Sequence, residues 1–187
     1  MPTPARTSVD EIVNAGRAIL DADGLEALTM QRIAEAVGVR PPSLYKRVRD
    51  RETLFRLIAE DVLEELGARV REVVSGDDPA ADLRAIAYAF RAWSREHPGG
   101  YALLFSRLPD TWRLEPDPDP GGGLFAALFR SVEALAGPDH VLEAARTVVA
   151  WASGFVGMEL AGAFRLGGDV DAAFAYGVDR IVLAVRA

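Results

Sequence analysis

Leu28–Phe55 reads LTMQRIAEAVGVRPPSLYKRVRDRETLF, and the reading of this stretch decides the fold. Thr29 can cap a helix whose inner face is Met30, Ile33, Ala34 and Val37 at helical spacing. Gly38 then stands where a tight turn is easiest without a Cβ. Pro41 and Pro42 follow where the first turn of a helix tolerates proline. Leu44, Tyr45 and Val48 give this next helix an inward side, and Asp50 caps another with Leu54, Phe55, Ile58, Val62 and Leu66 inward. Two short helices, a glycine turn and a small residue (Ala34) where they cross make a helix-turn-helix.

That packing leaves Arg40, Pro41, Ser43, Lys46 and Arg47 facing outward, with Pro42 at the edge. Arg and Lys can reach guanine O6 and N7 in a major groove, and apolar atoms can touch a thymine methyl. Gln31 and Thr29, near the start of the second helix, can bond phosphates or a base edge. Arg51 is placed beside a backbone phosphate. For Tyr45 the expectation is a packed ring whose hydroxyl reaches a phosphate.

The rest of the chain reads as helix on both sides of this unit. Ser8-Val-Asp-Glu11 is a capping box, followed by Val9, Ile12, Val13, Gly16, Ile19 and Leu20 at helical spacing, with Gly24 suited to the C-cap. The fourth helix runs from Asp50 to about Val74 and breaks at Ser75-Gly-Asp-Asp-Pro79. Further helices are expected at about 80–96, 101–107, 124–135, 139–164 and 170–185. Four prolines and three consecutive glycines make 109–123 a loop, and Leu166-Gly-Gly-Asp169 hinges the last two helices into an antiparallel pair. The class is all-α with about nine helices. Its expected division is a helix-turn-helix domain at 1–52, a connecting helix at 50–75, and a second domain at 53–187.

Composition narrows the functional classes. A chain of 187 residues, half of them apolar, has the make-up of a folded globular protein. It has no cysteine, which excludes disulfides and thiolate metal sites. His97 and His140 are distant in sequence, and the scattered carboxylates form no acid–base pair, so no metal, cofactor or enzymatic activity is expected. No window approaches 18 consecutive apolar residues and Met1–Arg6 lacks an export segment, so the expected location is cytoplasmic. The formal charge is −7, unevenly spread. Residues 1–60 carry nine Lys/Arg and nine Asp/Glu, whereas residues 61–187 carry twelve and nineteen. Arg40, Lys46, Arg47 and Arg49 cluster with no acid between them, and Lys46 is the only lysine. On charge alone a solvated helix face explains that cluster better than a ligand does.

The motif spacing adds what charge does not. Thr29, Ile33-Ala34, Gly38-Val39, Leu44-Tyr45 and Arg51-Glu52-x-Leu54 match, without a gap, the DNA-binding domain of the TetR family of bacterial transcriptional regulators, which Leu28–Leu54 resembles. The resemblance implies a recognition helix at Arg40–Val48. It implies base reading by Gln31, Arg40, Pro42, Ser43, Lys46 and Arg47, and phosphate contacts from Thr29, Tyr45 and Arg51. Arg47 replaces the family's frequent Phe or His, and Arg51 its frequent Lys; both keep a donor. Further on, Glu96-His97-Pro98-x-x-Tyr101-x-Leu103-Leu104-Phe105 is similar to a family pattern for the fifth and sixth helices. Trp151–Gly162 is similar to the eighth helix of a subgroup named for a Trp-His-Gly element, with Ser153 at the His position and the Trp shifted.

Residues 80–187 hold all three tryptophans. Tyr88, Trp93, Tyr101, Phe105, Trp112, Phe125, Phe129, Trp151, Phe155 and Met158 can line a cavity for a small effector, although aromatics at helical spacing are more often plain core. Glu159 sits either at that pocket wall or as a satisfied interface carboxylate. Small residues on the last two helices (Ala144, Ala145, Val148, Ala152, Gly157, Ala161, then Ala173, Tyr176, Gly177, Ile181, Ala184) allow close packing against the same pair of a second subunit. The resulting expectation is a homodimeric regulator, more repressor than activator, binding a palindromic double-stranded operator and released by a small apolar effector. A helical small-molecule binding protein or enzyme with a structural helix-turn-helix predicts ligand binding without salt-dependent DNA affinity. A protein-interaction module predicts monomers and an exposed apolar patch.

Overall fold

The computed structural model describes residues 8–106 and 124–186. Trp112 and the loop expected at 109–123 lie outside them. Among the described residues there are nine α-helices and no strand. They are α1 (Val9–Asp23), α2 (Met30–Ala36), α3 (Pro41–Leu44), α4 (Arg51–Val73), α5 (Pro79–Glu96), α6 (Pro98–Leu104), α7 (Leu124–Ala136), α8 (Val141–Leu160) and α9 (Val170–Ala184).

The chain divides into two compact units, the first ending at Leu63 but taking in α6, the second formed by the rest. In the first unit, local capping sets where the helices begin. Ser8 and Glu11 exchange side-chain to backbone hydrogen bonds of 3.0 Å, closing the capping box at α1. Ile12, Leu20, Leu28, Ile33, Ala34, Leu54, Ile58 and Val62 are all fully buried. A β-carbon at Gly16 of α1 would lie 2.4 Å from Cδ1 of Ile58 in α4, so the glycine leaves room for that side chain to pack against α1.

The second unit joins the C-terminal part of α4 to a body of α5, α7, α8 and α9. Its core joins Leu83 and Ala87 of α5, Leu128 and Val132 of α7, Ala144, Ala145 and Val148 of α8, and Phe174, Val178 and Val182 of α9. Asp82, almost fully buried, accepts hydrogen bonds from the backbone N–H groups of Ser75 and Gly76, each at 2.8 Å, and so satisfies the turn before α5.

Two expectations need correction here. The first concerns where α8 ends. It stops at Leu160, not near Phe164, because Gly162 adopts φ 61° while the Gly162 and Ala163 N–H groups donate back to Glu159 (2.9 Å) and Met158 (2.9 Å). The turn therefore starts four residues earlier than the glycine pair at 167–168 implies. The antiparallel α8–α9 arrangement stands: Trp151 lies against Gly177, Phe155 against Phe174, and Glu159 and Asp171 share Arg91.

The second concerns which face of α8 is outward. Ala144, Ala145, Val148 and Ala152, read from sequence as an intersubunit face, are buried in this chain's own core. The exposed apolar side chains of α8 are Leu142, Val149, Met158 and Leu160, and those of α9 include Tyr176 and Leu183. Both faces of α8 carry apolar residues at helical spacing, so periodicity alone could not tell the inner from the outer.

Candidate nucleic-acid interface

The first unit builds its outward surface from one capped helix, one turn and one short helix. Thr29 accepts a 3.2 Å hydrogen bond from the Arg32 N–H and so starts α2; its own hydroxyl proton stays available as a donor. At the other end Gly38 takes φ 70°, a left-handed conformation a β-carbon would strain. The N–H groups of Gly38 and Val39 then donate to Glu35 (3.1 Å) and Ala34 (2.9 Å), the paired bonds of a Schellman turn. That turn delivers the chain to Arg40, which precedes α3 in extended conformation, with Pro41 and Pro42 in the first helical positions.

Leu44 and Val48 are essentially inaccessible and anchor α3 to the unit's interior. Arg40, Pro42, Ser43, Lys46 and Arg47 are all exposed, as the sequence reading expects. Gln31 and Thr29 on the neighbouring helix are exposed as well. The regular helix is shorter than the expected Arg40–Val48: it covers Pro41–Leu44, and the coil continues through turns in which Arg47 and Val48 both donate to the Leu44 carbonyl, at 2.8 and 3.0 Å. Tyr45 also departs from expectation. Its side chain is 50 % exposed, so Leu44 and Val48 do the anchoring and the Tyr45 ring stands on the outer surface.

Pairing decides which bases remain to attract a polyanion. Arg32 is held by Asp23, Arg17 by Asp61 and Arg49 by Asp50. Arg51 lies over the Phe55 ring, 4.3 Å from its centroid. No ion pair among the described residues engages Arg40, Lys46 or Arg47. Three cations without an ion pair therefore project from the α3 surface, whereas Arg17, Arg32, Arg49 and Arg56 of the same unit are paired. Arg51, over the Phe55 ring, carries no ion pair among the described residues either. Sequence reasoning missed the side-chain partner of Gln31, whose amide donates to Glu35 at 3.0 Å; the i,i+4 spacing was the available signal.

Asp50 holds the chain's re-entry into α4. Its carboxylate accepts the Thr53 N–H at 2.7 Å and the Thr53 hydroxyl at 2.7 Å, with Arg49 at 3.1 Å. Those bonds, the backbone one foremost, lower its pKa from 3.8 to about 2. A carboxyl whose folded pKa is depressed binds its proton more readily when unfolded, so its stabilising effect is complete above pH 3.8 and fades toward pH 2. The stability difference between wild type and Asp50→Ala, followed by urea unfolding, is therefore expected to be full at pH 6 and to shrink as the pH falls through that window. A difference constant down to pH 2 would show that the cap is not ionic.

The aromatic residues expected to line one pocket separate into groups. Tyr101 and Phe105, 4.9 Å between centroids, belong to the first unit. In the second, Tyr88, Trp151 and Phe155 gather around Phe174, which the sequence reading did not single out, at 5.3, 5.4 and 5.1 Å. Phe125 and Phe129 pair at 6.4 Å, Trp93 is fully buried, and Met158 is 48 % exposed on α8. Glu159 faces inward and grips Arg91 with two bonds of 2.7 and 2.8 Å. The same guanidinium reaches Asp171 at 2.6 Å and lies 4.6 Å from the Phe174 centroid. Glu159 is thus a satisfied carboxylate within the body, and its bonds raise the Arg91 pKa above the ordinary value. No cluster of three or more metal-ligating side chains occurs among the described residues.

Comparison with known proteins agrees with this arrangement. Residues 6–58 match the family described as bacterial regulatory proteins, tetR family, and residues 83–181 match the tetracyclin repressor-like C-terminal domain. An HTH-type transcriptional regulator of Mycobacterium tuberculosis, Rv0681, is 31% identical over 106 residues, covering 57% of this chain and 48% of that protein. The class E tetracycline repressor protein of Escherichia coli is 36% identical over 59 residues, 32% of this chain and 28% of its own. These matches thus span half or less of each curated relative. The crystal structure of ActR from Streptomyces coelicolor in complex with (S)-DNPA superposes with a TM-score of 0.75 at 20% identity, covering 97% of this chain and 98% of that one. At that identity the likeness is one of fold.

Proposed function

This chain belongs to the tetR family of bacterial regulatory proteins, and on that premise we propose that it is a ligand-responsive, DNA-binding transcriptional regulator, a repressor acting as a homodimer on a palindromic operator. The observation that carries the proposal is the exposed, unpaired trio Arg40, Lys46 and Arg47 on a segment anchored by buried Leu44 and Val48. Lys46, Arg47, Arg40, Ser43, Pro42 and Gln31 read base edges; Thr29, Tyr45 and Arg51 hold phosphates. An exposed Tyr45 ring suits that role, since its hydroxyl is not committed to the core.

Residues 1–52 form the DNA-reading domain, and residues 53–187 bind the effector and dimerise. The exposed apolar residues of α8 and α9, with the small side chains of α9, meet the same pair of a second copy, giving a two-fold assembly with recognition helices about 34–36 Å apart or a multiple of that. A small apolar effector held among the aromatics of the second domain favours a state with the wrong spacing, which requires several kcal/mol of differential affinity. Location in the cytoplasm follows from this role; among the described residues no helix is long and apolar enough to cross a membrane.

The test is selection of bound duplexes from random DNA by the full chain, followed by affinity measured across a salt series. A recovered palindrome whose affinity falls steeply with salt is the expected result. Ligand binding with no selected sequence and no salt-dependent affinity would instead favour a helical small-molecule binding protein with a structural helix-turn-helix.

A further inference from the structure

We infer that Glu35 is a positioning residue for sequence specificity, orienting the Gln31 amide so that it reads adenine. The inference rests on the DNA-binding role proposed above and goes beyond it by assigning one base preference to one hydrogen bond. Gln31 and Glu35 both lie on the exposed side of α2, one turn apart, with Gln31 Nε2 donating to Glu35 Oε1 at 3.0 Å. An ionised carboxylate can only accept, so the Gln31 nitrogen, and not its oxygen, must face Glu35. This removes the two-fold freedom an exposed glutamine amide otherwise has.

On this reading the N–H anti to the carbonyl is the one committed to Glu35, and the N–H syn to the carbonyl stays free. What remains is the carbonyl oxygen with the second N–H, and in a primary amide these lie side by side on one edge. An acceptor beside a donor is complementary to adenine in the major groove, whose N6 donates and whose N7 accepts. Guanine offers two acceptors on that edge and cytosine a donor with no acceptor beside it, so neither satisfies both groups. Holding the amide before contact also lowers the rotamer entropy lost on binding. The backbone supports the pairing, because the Glu35 carbonyl accepts the Gly38 N–H at 3.1 Å and so places Glu35 at the rigid end of α2.

The experiment is selection from random duplex DNA with the full chain and with Gln31→Ala, Glu35→Ala and Glu35→Gln, each then measured on the selected operator and on single-base variants. In wild type one position per half-site should prefer A·T roughly five- to hundred-fold. Gln31→Ala and Glu35→Ala should both lose that preference while all other positions keep theirs. Glu35→Gln, whose amide can donate as well as accept and so lets the Gln31 amide face either way, should weaken that preference to an intermediate value. Preference retained in Glu35→Ala overturns the inference, whether affinity then rises alike on every sequence, as removal of a negative charge alone would cause, or a neighbouring base preference disappears because Glu35 itself reads cytosine. An undiminished preference in Glu35→Gln would show that an acceptor-only partner is not what fixes the amide and also overturns it. A palindrome with these outcomes leaves the regulator reading standing, whereas no selected sequence from wild type removes both.

Discussion

Arg91→Ala is expected to lower the free energy of unfolding by about 3–5 kcal/mol, the range for removing one partner of a buried ion pair. The Arg91 side chain is only 8% exposed and Glu159 16%, so the carboxylate left behind can recruit little water. It would lose two charge-assisted bonds at once, and Phe174 would lose the guanidinium on its face. Asp171 is different. It is 74% exposed, so Asp171→Asn should cost under about 1 kcal/mol, as surface pairs do. The double change Arg91→Met with Glu159→Leu removes both charges and is expected to recover most of the loss, because buried pairs repay little more than their own desolvation. Chemical unfolding of the three proteins measures this. A loss under 1 kcal/mol in Arg91→Ala would mean that Glu159 finds solvent, and that the three-helix junction of α5, α8 and α9 is looser than its distances indicate.

The second large effect belongs to the opposite function, binding without stability. Lys46→Ala combined with Arg47→Ala should abolish operator binding while leaving the unfolding midpoint within about 0.5 kcal/mol of wild type, since both side chains are exposed and unpaired. If each reads a base, each loses about 1–3 kcal/mol per half-site, and a two-fold dimer incurs the loss twice. Single variants separate the two kinds of contact. A base-reading side chain takes the preference at one position with it, whereas a phosphate-bound one weakens all sequences alike and reduces the salt slope by about one. Fluorescence anisotropy with selected and scrambled duplexes at several salt concentrations distinguishes them. Wild-type affinity in the double variant would refute the assignment of α3 to the groove.

The two results probe parts of the protein that were not equally legible in the chain. In the first unit, caps and turns follow from the sequence because their causes lie within four residues, although the end of α8 does not. Ser8 with Glu11, Thr29 with Arg32, and Gly38 closing α2 are all local hydrogen-bond arrangements. The outward trio followed once Leu44 and Val48 were taken as inward, and both are buried. Tyr45 was misread because an aromatic next to a core leucine looks like core, and on so short a helix a rotation of one residue moves it to the surface.

Long-range choices were a different matter. Glu159 and Arg91 are 68 residues apart, and no periodicity selects one arginine of twenty as the partner of a given carboxylate. Phe174 is one of several aromatics at helical spacing, yet it alone receives Tyr88, Trp151 and Phe155 together. Helix identity, the caps of the first unit and the exposed basic surface after Gly38 were thus determined by the order of residues itself, since backbone hydrogen bonding and capping act over one turn. Which face of α8 turns inward, and which charge meets which, was decided only when α5, α7, α8 and α9 packed. Burial and desolvation depend on partners that the chain brings together from afar.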